Sequence, residues 1–227
     1  MQIFWYKNLH YAIVQRVSSY VQARLHHLKI KSTMTETDLL IVQAAEQNQI
    51  DPAILLAVKK VEVGDNKGFL DDGRPTILFE GHVFYKLYNK KHPKTNPIKM
   101  EQRHPTIYYP YWLKKYYKGG AKEHDRLAEA CRLDRLCGLQ SASWGVGQIM
   151  GFNYKACGCS TVQEFVNAMY KSEESQIQLW INFLKSGKYL ELLKAHNWEA
   201  FALAYNGPGQ VKYYSRLLQV YYEKYTK

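Results

Sequence analysis

The sequence predicts a mainly α-helical fold carrying one small β-hairpin. Helix-start signals recur along the chain, at Thr35 with Asp38, Asp51-Pro52, Ser160 with Gln163, and Asn197. Between them, apolar residues return at helical spacing. The hairpin is read from residues 68–80, where strand-forming Phe69-Leu70 and Thr76-Ile77-Leu78-Phe79 flank Asp71-Asp72-Gly73.

In chain order, the Thr35/Asp38 capping box opens a helix running to about Gln47. Asp51 caps a second helix with Pro52 at its first position, and Ile54, Leu55, Val58 and Val61 form the buried stripe. Glu62 follows at the edge of that stripe. After the hairpin, residues 81–89 read as helix and 90–105 as a loop punctuated by Pro93, Pro97 and Pro105. Residues 121–137 read as one helix, with charges on one side and Leu127, Ala130, Cys131 and Leu133 toward the core. Ser160 with Gln163 opens another. Gly187 ends the helix begun near Ser172, Asn197 caps the segment leading to Tyr205, and residues 211–225 form the last. Repeats, low-complexity tracts and Gly/Ser linkers are absent, so residues 34–227 read as one domain, long enough for a sizeable core.

Residues 1–33 stand apart. They carry Lys7, Arg16, Arg24, Lys29 and Lys31 and no acid, with Leu9, Ile13, Val17, Tyr20, Val21, Leu25 and Leu28 at helical spacing. The longest apolar runs are about four residues where a secretory core needs roughly 7 to 15, so this is a basic amphipathic helix rather than a signal peptide. Such a helix either lies on an anionic membrane surface or docks onto the domain that follows. No stretch approaches the roughly 20 apolar residues of a membrane span.

Net charge is +11, from 31 Lys and Arg against 20 Asp and Glu, which draws the protein to polyanions: nucleic acid, a membrane surface or an anionic cell wall. The 19 Tyr and 5 Trp, many beside lysine as in residues 107–118, add rings that stack on sugars or bases. Against this stands the ordinary fate of such stretches, rings inward and lysines snorkelling. Cys131, Cys137, Cys157 and Cys159 are too few for a disulfide scaffold. Cys157-Gly158-Cys159 lacks metal-ligand spacing, so reduced thiols, no metal and no cofactor are expected.

Chemistry points first to Glu62. A carboxyl at a helix end, facing a groove walled by a hairpin, is partly desolvated, which raises its pKa toward general-acid use. Two further segments carry amides between glycines: residues 141–151, with Ser143, Trp144, Gln148 and Ile149, and residues 204–209, with Tyr205 and Asn206. Glycines let backbone approach a ligand, and Gln and Asn amides bond hydroxyl and N-acetyl groups. Trp144, Tyr154 and Tyr205 are candidates for a groove wall, with core packing the competing role. For a second carboxylate, Asp65, Asp71, Asp72 and Glu80 are near in sequence. Asp72 is the chosen candidate, although two acids before Gly-Arg are also ordinary turn chemistry. Glu80 is expected to pair with Arg74 or His82.

In order and spacing, an acid, then Gly-x-x-Gln-Ile, then Ala-Tyr-Asn-Gly, the chain resembles the lysozyme superfamily that includes goose-type lysozymes and lytic transglycosylases. It more closely resembles the N-acetylmuramidase domains of phage endolysins and bacterial effectors, through Gly68-Phe69-Leu70, Asp72-Gly73-Arg74-Pro75, Ile77-Leu78-Phe79-Glu80 with His82 and Phe84, residues 141–154 and residues 201–209. The chain has Val63 where many relatives have serine, and Gly147 and Gly207 where the wider superfamily has Met and Ala. The resemblance implies a lysozyme-like fold and cleavage of the β-1,4 bond between N-acetylmuramic acid and N-acetylglucosamine, with Glu62 as proton donor. Bacterial peptidoglycan is the expected partner, with no specific nucleic acid, and a monomer is expected. Synthesis in the cytoplasm without a classical signal is expected, with delivery to the wall through a membrane lesion or another machine. Two rivals remain: a lytic transglycosylase, and a catalytically silent wall- or nucleic-acid-binding module.

Overall fold

The computed structural model describes residues 34–227 except 63, 65 and 66. The basic segment 1–33 and candidate Asp65 lie outside the described residues. In chain order come α1 (Glu36–Gln47), α2 (Pro52–Glu62), β1 (Ile77–Phe79), α3 (Gly81–Lys91) and α4 (Pro97–Arg103). A 3-10 turn, Lys114–Tyr116, precedes α5 (Ala121–Leu133), α6 (Arg135–Gln140), β2 (Ala142–Trp144) and β3 (Ile149–Met150). Then follow α7 (Val162–Lys171), α8 (Glu173–Ser186), α9 (Tyr189–Lys194), α10 (Trp198–Asn206) and α11 (Val211–Thr226). These form two compact units, residues 34–58 with 196–227, and residues 59–195.

In the first unit the local signals act as read. Thr35 Oγ1 accepts from the Asp38 N–H at 3.2 Å while Asp38 Oδ2 accepts from the Thr35 N–H at 2.9 Å, a complete capping box. Asp51 Oδ1 accepts from the Ala53 N–H at 3.0 Å, and its Oδ2 from the Tyr222 hydroxyl of α11 at 3.2 Å. Asn197 caps α10 through the Ala200 N–H, and Gly207 ends it at φ 79°, a conformation glycine adopts without strain.

The second unit departs from the sequence reading in its sheet. Residues 68–80 do not form a hairpin of two strands: Phe69 and Pro75 make one isolated bridge around a turn in which Leu70 N–H donates to Arg74 O at 2.8 Å. β1 instead pairs antiparallel with β2, Leu78 opposite Ser143, and β2 pairs with β3, Ser143 opposite Met150. The hairpin is thus the glycine-rich segment 141–151, read above as a ligand-approach loop. A three-residue strand has too little pairing to stand alone, so partner choice falls to long-range packing.

Two helix boundaries also move. Residues 90–105 are not all loop: α3 reaches Lys91, and Asn96 caps α4 with Pro97 at its first turn, so that proline starts a helix. Residues 121–137 are two helices, broken at Asp134, which caps α6 by accepting from the Cys137 N–H at 3.0 Å. Thr161 rather than Ser160 caps α7, accepting from the Glu164 N–H.

Asp134 also binds Lys91 Nζ at 2.6 Å and His92 Nε2 at 2.8 Å. Burial opposes its ionisation, yet the Cys137 N–H, Lys91 and His92 outweigh it and hold the carboxyl well below the usual range. A folded pKa below the unfolded value of about 3.9 means stabilisation that is complete above about pH 4 and lost as pH falls through the folded value. Asp134→Asn is therefore expected to lower the melting temperature at about pH 7, with the gap to the parent narrowing progressively as pH falls from about 4 toward 2. A gap of constant size across that range would remove the carboxylate from this account.

The four cysteines are free. Burial pushes Cys137 and Cys157 up to about 12, so both are protonated and unreactive at neutral pH. Among the described residues no cluster of His, Cys, Asp or Glu could hold a metal ion, and no helix is long and apolar enough to cross a membrane.

Candidate active site

Glu62 is the last residue of α2, half-buried, and the chain turns after it at Gly64 with φ 66°. Its unit also contains the 68–76 turn and the β2–β3 hairpin. One buried side chain ties these last two together. Gln176 of α8, with no exposed surface, donates through Nε2 to Gly68 O at 3.1 Å and Met169 O at 2.9 Å. Its Oε1 accepts from the Val146 N–H at 3.0 Å. Glu173 adds a second tie, its Oε1 accepting from the Gly68 N–H at 2.7 Å. A lone glutamine on a helix offers no sequence signal for such a role; Ser172-Glu173 was legible only as a helix start.

The hairpin turn fits closely against α8. Gly145 has φ 64°, and a Cβ there would lie 2.6 Å from Gln176 Oε1. A Cβ on Gly147 would lie 2.6 Å from the Trp180 ring. These glycines therefore serve helix–hairpin packing.

Gln148 takes φ 45°, a left-handed conformation unusual for a side-chain-bearing residue. Its Oε1 accepts from Ser143 Oγ at 2.8 Å and its Nε2 donates to Gly145 O at 3.0 Å. The amide thus closes its own hairpin. Gln148→Ala should lower stability by about 1–3 kcal/mol, because both bonds go while the strained φ stays. Gln148→Gly should cost less, since glycine tolerates that φ. Chemical denaturation ranks the two, and the reverse order would refute the turn-closing role.

The remaining candidates separate by exposure. Trp144 is 1% exposed, with Nε1 donating to Leu139 O at 3.2 Å, and Ile149 is 2% exposed. Neither ring nor alkyl face is open to a sugar; both fill the core beneath the sheet. Ser143 is buried as well. The ring available beside Trp144 is Tyr170 of α7, 6.5 Å away and 45% exposed, which sequence reasoning passed over. Tyr154 is half-buried after β3, with Lys155 Nζ 6.0 Å from its ring centroid. Tyr205 and Asn206 are half-buried at the end of α10 in the first unit, Tyr205 stacked on Phe201 with centroids 5.0 Å apart.

Asp72 is exposed and anchors the 68–76 turn. Its Oδ2 accepts from Arg74 Nη2 at 2.6 Å and Nε at 3.0 Å, and its Oδ1 from the Arg74 N–H at 3.1 Å. The Arg74 side chain, then its backbone N–H, hold the carboxyl below the usual range. Arg74 is therefore committed to Asp72, and Glu80 turns elsewhere: it accepts from the Tyr117 hydroxyl and lies 3.3 Å from His82 Nδ1. Burial, then the Glu80 carboxylate, push the Tyr117 phenol up, so it stays a donor.

Behind β1 lies a polar cluster that the amphipathic reading of residues 121–137 placed at the surface. Glu123 is fully buried and accepts from Phe79 N–H at 3.1 Å, Lys118 N–H at 2.5 Å, Gly119 N–H at 3.0 Å and Arg126 Nη1 at 2.7 Å. Arg126 also donates to Phe79 O, Thr106 O and the Tyr109 hydroxyl. His124 bonds Pro75 O at 2.8 Å, and burial foremost keeps its pKa low, leaving it neutral and donating. Together the three fix both ends of the 75–79 segment.

The sequence profile of the N-acetylmuramidase family matches residues 51–226, which include Glu62, the hairpin and Asn206. The solved structure of a Burkholderia AP3 phage endolysin aligns with a TM-score of 0.70 at 34% identity, over 83% of this chain and 71% of that one. No curated protein matches the chain. With a helix-rich fold around a three-stranded antiparallel sheet, and a family match running from Asp51 almost to the end, the chain belongs to the N-acetylmuramidase family.

Proposed function

We propose that this peptidoglycan hydrolase cuts the β-1,4 bond between N-acetylmuramic acid and N-acetylglucosamine, with Glu62 donating the proton to the leaving oxygen. The observation that carries the assignment is the position of Glu62: a half-buried carboxyl at the end of α2, inside the family match and ahead of the turn that Gln176 binds to the hairpin. A glycosidic oxygen leaves poorly as an alkoxide, and a carboxylic acid placed beside it removes that barrier.

Asp72 has a supporting part in this reading. Its bonds to Arg74 make it the anchor of the turn and keep it ionised, which suits electrostatic stabilisation of an oxocarbenium-like transition state better than proton donation. Tyr170 replaces Trp144 as the ring offered to a sugar. The net charge of +11 favours association with an anionic wall.

Mass spectrometry of fragments released from purified peptidoglycan tests the reaction. Hydrolysis at the muramic acid leaves a reducing N-acetylmuramic acid end. An anhydro end would make the enzyme a lytic transglycosylase, and a reducing N-acetylglucosamine end would place the cut at the other bond.

A further inference from the structure

Residues 102–122 contain no Asp or Glu but carry Arg103, Lys114, Lys115, Lys118 and Lys122. Both ends of the 107–119 segment are pinned. Ile107, Tyr108 and Tyr109 are at most 1% exposed, with the Tyr108 hydroxyl donating to Asn89 Oδ1 at 2.6 Å and the Tyr109 hydroxyl accepting from Arg126 Nη2 at 3.0 Å. At the other end Tyr117 donates to Glu80, and buried Glu123 holds the N–H groups of Lys118 and Gly119.

Between these anchors Tyr111 is 75% exposed and Trp112 is 59% exposed. Trp112 meets Tyr117 edge-on, centroids 6.1 Å apart at 75°, so it is braced without being covered. Lys114, Lys115 and Lys118 follow in sequence and are exposed, with Lys115 Nζ 4.8 Å from the Tyr116 ring centroid. Folding leaves unburied here two large aromatic side chains with much to gain from burial, in a braced segment whose exposed charges are all lysines.

We propose that Tyr111 and Trp112, with Lys114, Lys115 and Lys118, form a docking site for an anionic aminosugar polymer, namely a peptidoglycan strand. This rests on the muramidase reading above. The rings stack on pyranose faces, and the ammonium groups meet the carboxylates of the lactyl and peptide substituents. Rigid Tyr and Trp supply large contact area with little conformational entropy to lose, which suits a repeating, weakly featured ligand. A lipid surface is the poorer fit, since two rings and a half-buried Leu113 give little apolar depth to insert.

The test uses the full chain bearing Glu62→Gln, so that the wall is not consumed, sedimented with purified insoluble peptidoglycan. Adding Trp112→Ala should weaken association at least about 10-fold, as for a truncated aromatic anchor, with the melting temperature kept. Trp112→Tyr should restore much of it, and Lys114→Gln with Lys115→Gln should flatten the salt dependence. Unchanged wall affinity in the folded Trp112→Ala chain overturns the proposal. So does a Trp112-dependent loss confined to vesicles of phosphatidylglycerol and phosphatidylcholine, which would make the platform a lipid site. Either result leaves the muramidase reading intact, because that reading fails only if the unsubstituted chain releases no muramic-acid-terminated fragments.

Discussion

Replacing Glu62 with glutamine is expected to lower peptidoglycan cleavage at least about 100-fold, the low end of what a positioned general acid contributes. The substitution keeps side-chain volume and hydrogen-bonding capacity but removes the acidic proton. Glu62 is half-buried at a helix end, and glutamine is a comparable helix former, so the melting temperature should change little. Binding to intact wall should persist while release of soluble fragments stops. A folded variant that turns over within about threefold of the parent would move the proton donor elsewhere, since that ratio is far below any general-acid effect.

The largest effect on stability is expected at Glu123. Its carboxylate accepts four donors in a site without solvent exposure, and glutamine offers one acceptor oxygen and an NH2 group that faces donors. Glu123→Gln leaves at least one buried N–H unmet and Arg126 without its counter-charge, which should cost about 3–5 kcal/mol. That is a large fraction of the roughly 5–15 kcal/mol of a typical domain. Arg126→Met alone should cost a similar amount. The double variant Glu123→Gln with Arg126→Met should cost less than the sum of the single changes, because no charge is then stranded. Urea unfolding of the four proteins measures this, and strict additivity would mean that the pair is not acting as a unit.

The same cluster explains where sequence reading succeeded and where it stopped. Thr35 with Asp38, Asp51 with Pro52, and Asn197 were legible because a cap acts within three residues of itself. The amphipathic pattern of residues 121–137 put Leu127, Ala130, Cys131 and Leu133 toward the core; the first two are buried and the other two half-buried. It also put Glu123, His124 and Arg126 at the surface, since hydropathy assigns charges to water and cannot see that Phe79, Thr106 and Pro75 bring backbone partners to them. Trp144 misled for a related reason. Its residue type suits sugar binding, but its ring is 1% exposed and the carbonyl of Leu139 satisfies its N–H internally.

By itself the sequence determined the helical class, most helix ends, the absence of a disulfide framework, and the motif order that placed the chain among muramidases. All of these rest on interactions of short span or on residue order. Only the tertiary structure decided that β1 pairs with β2, 65 residues away from Leu78 at Ser143, and that Gln176 joins the 68–76 turn to the hairpin. It likewise buried Trp144 while leaving Trp112 in water. The reason is physical: a three-residue strand, a lone glutamine or an aromatic ring has no strong local preference, so its partner is set by which distant groups packing brings within reach.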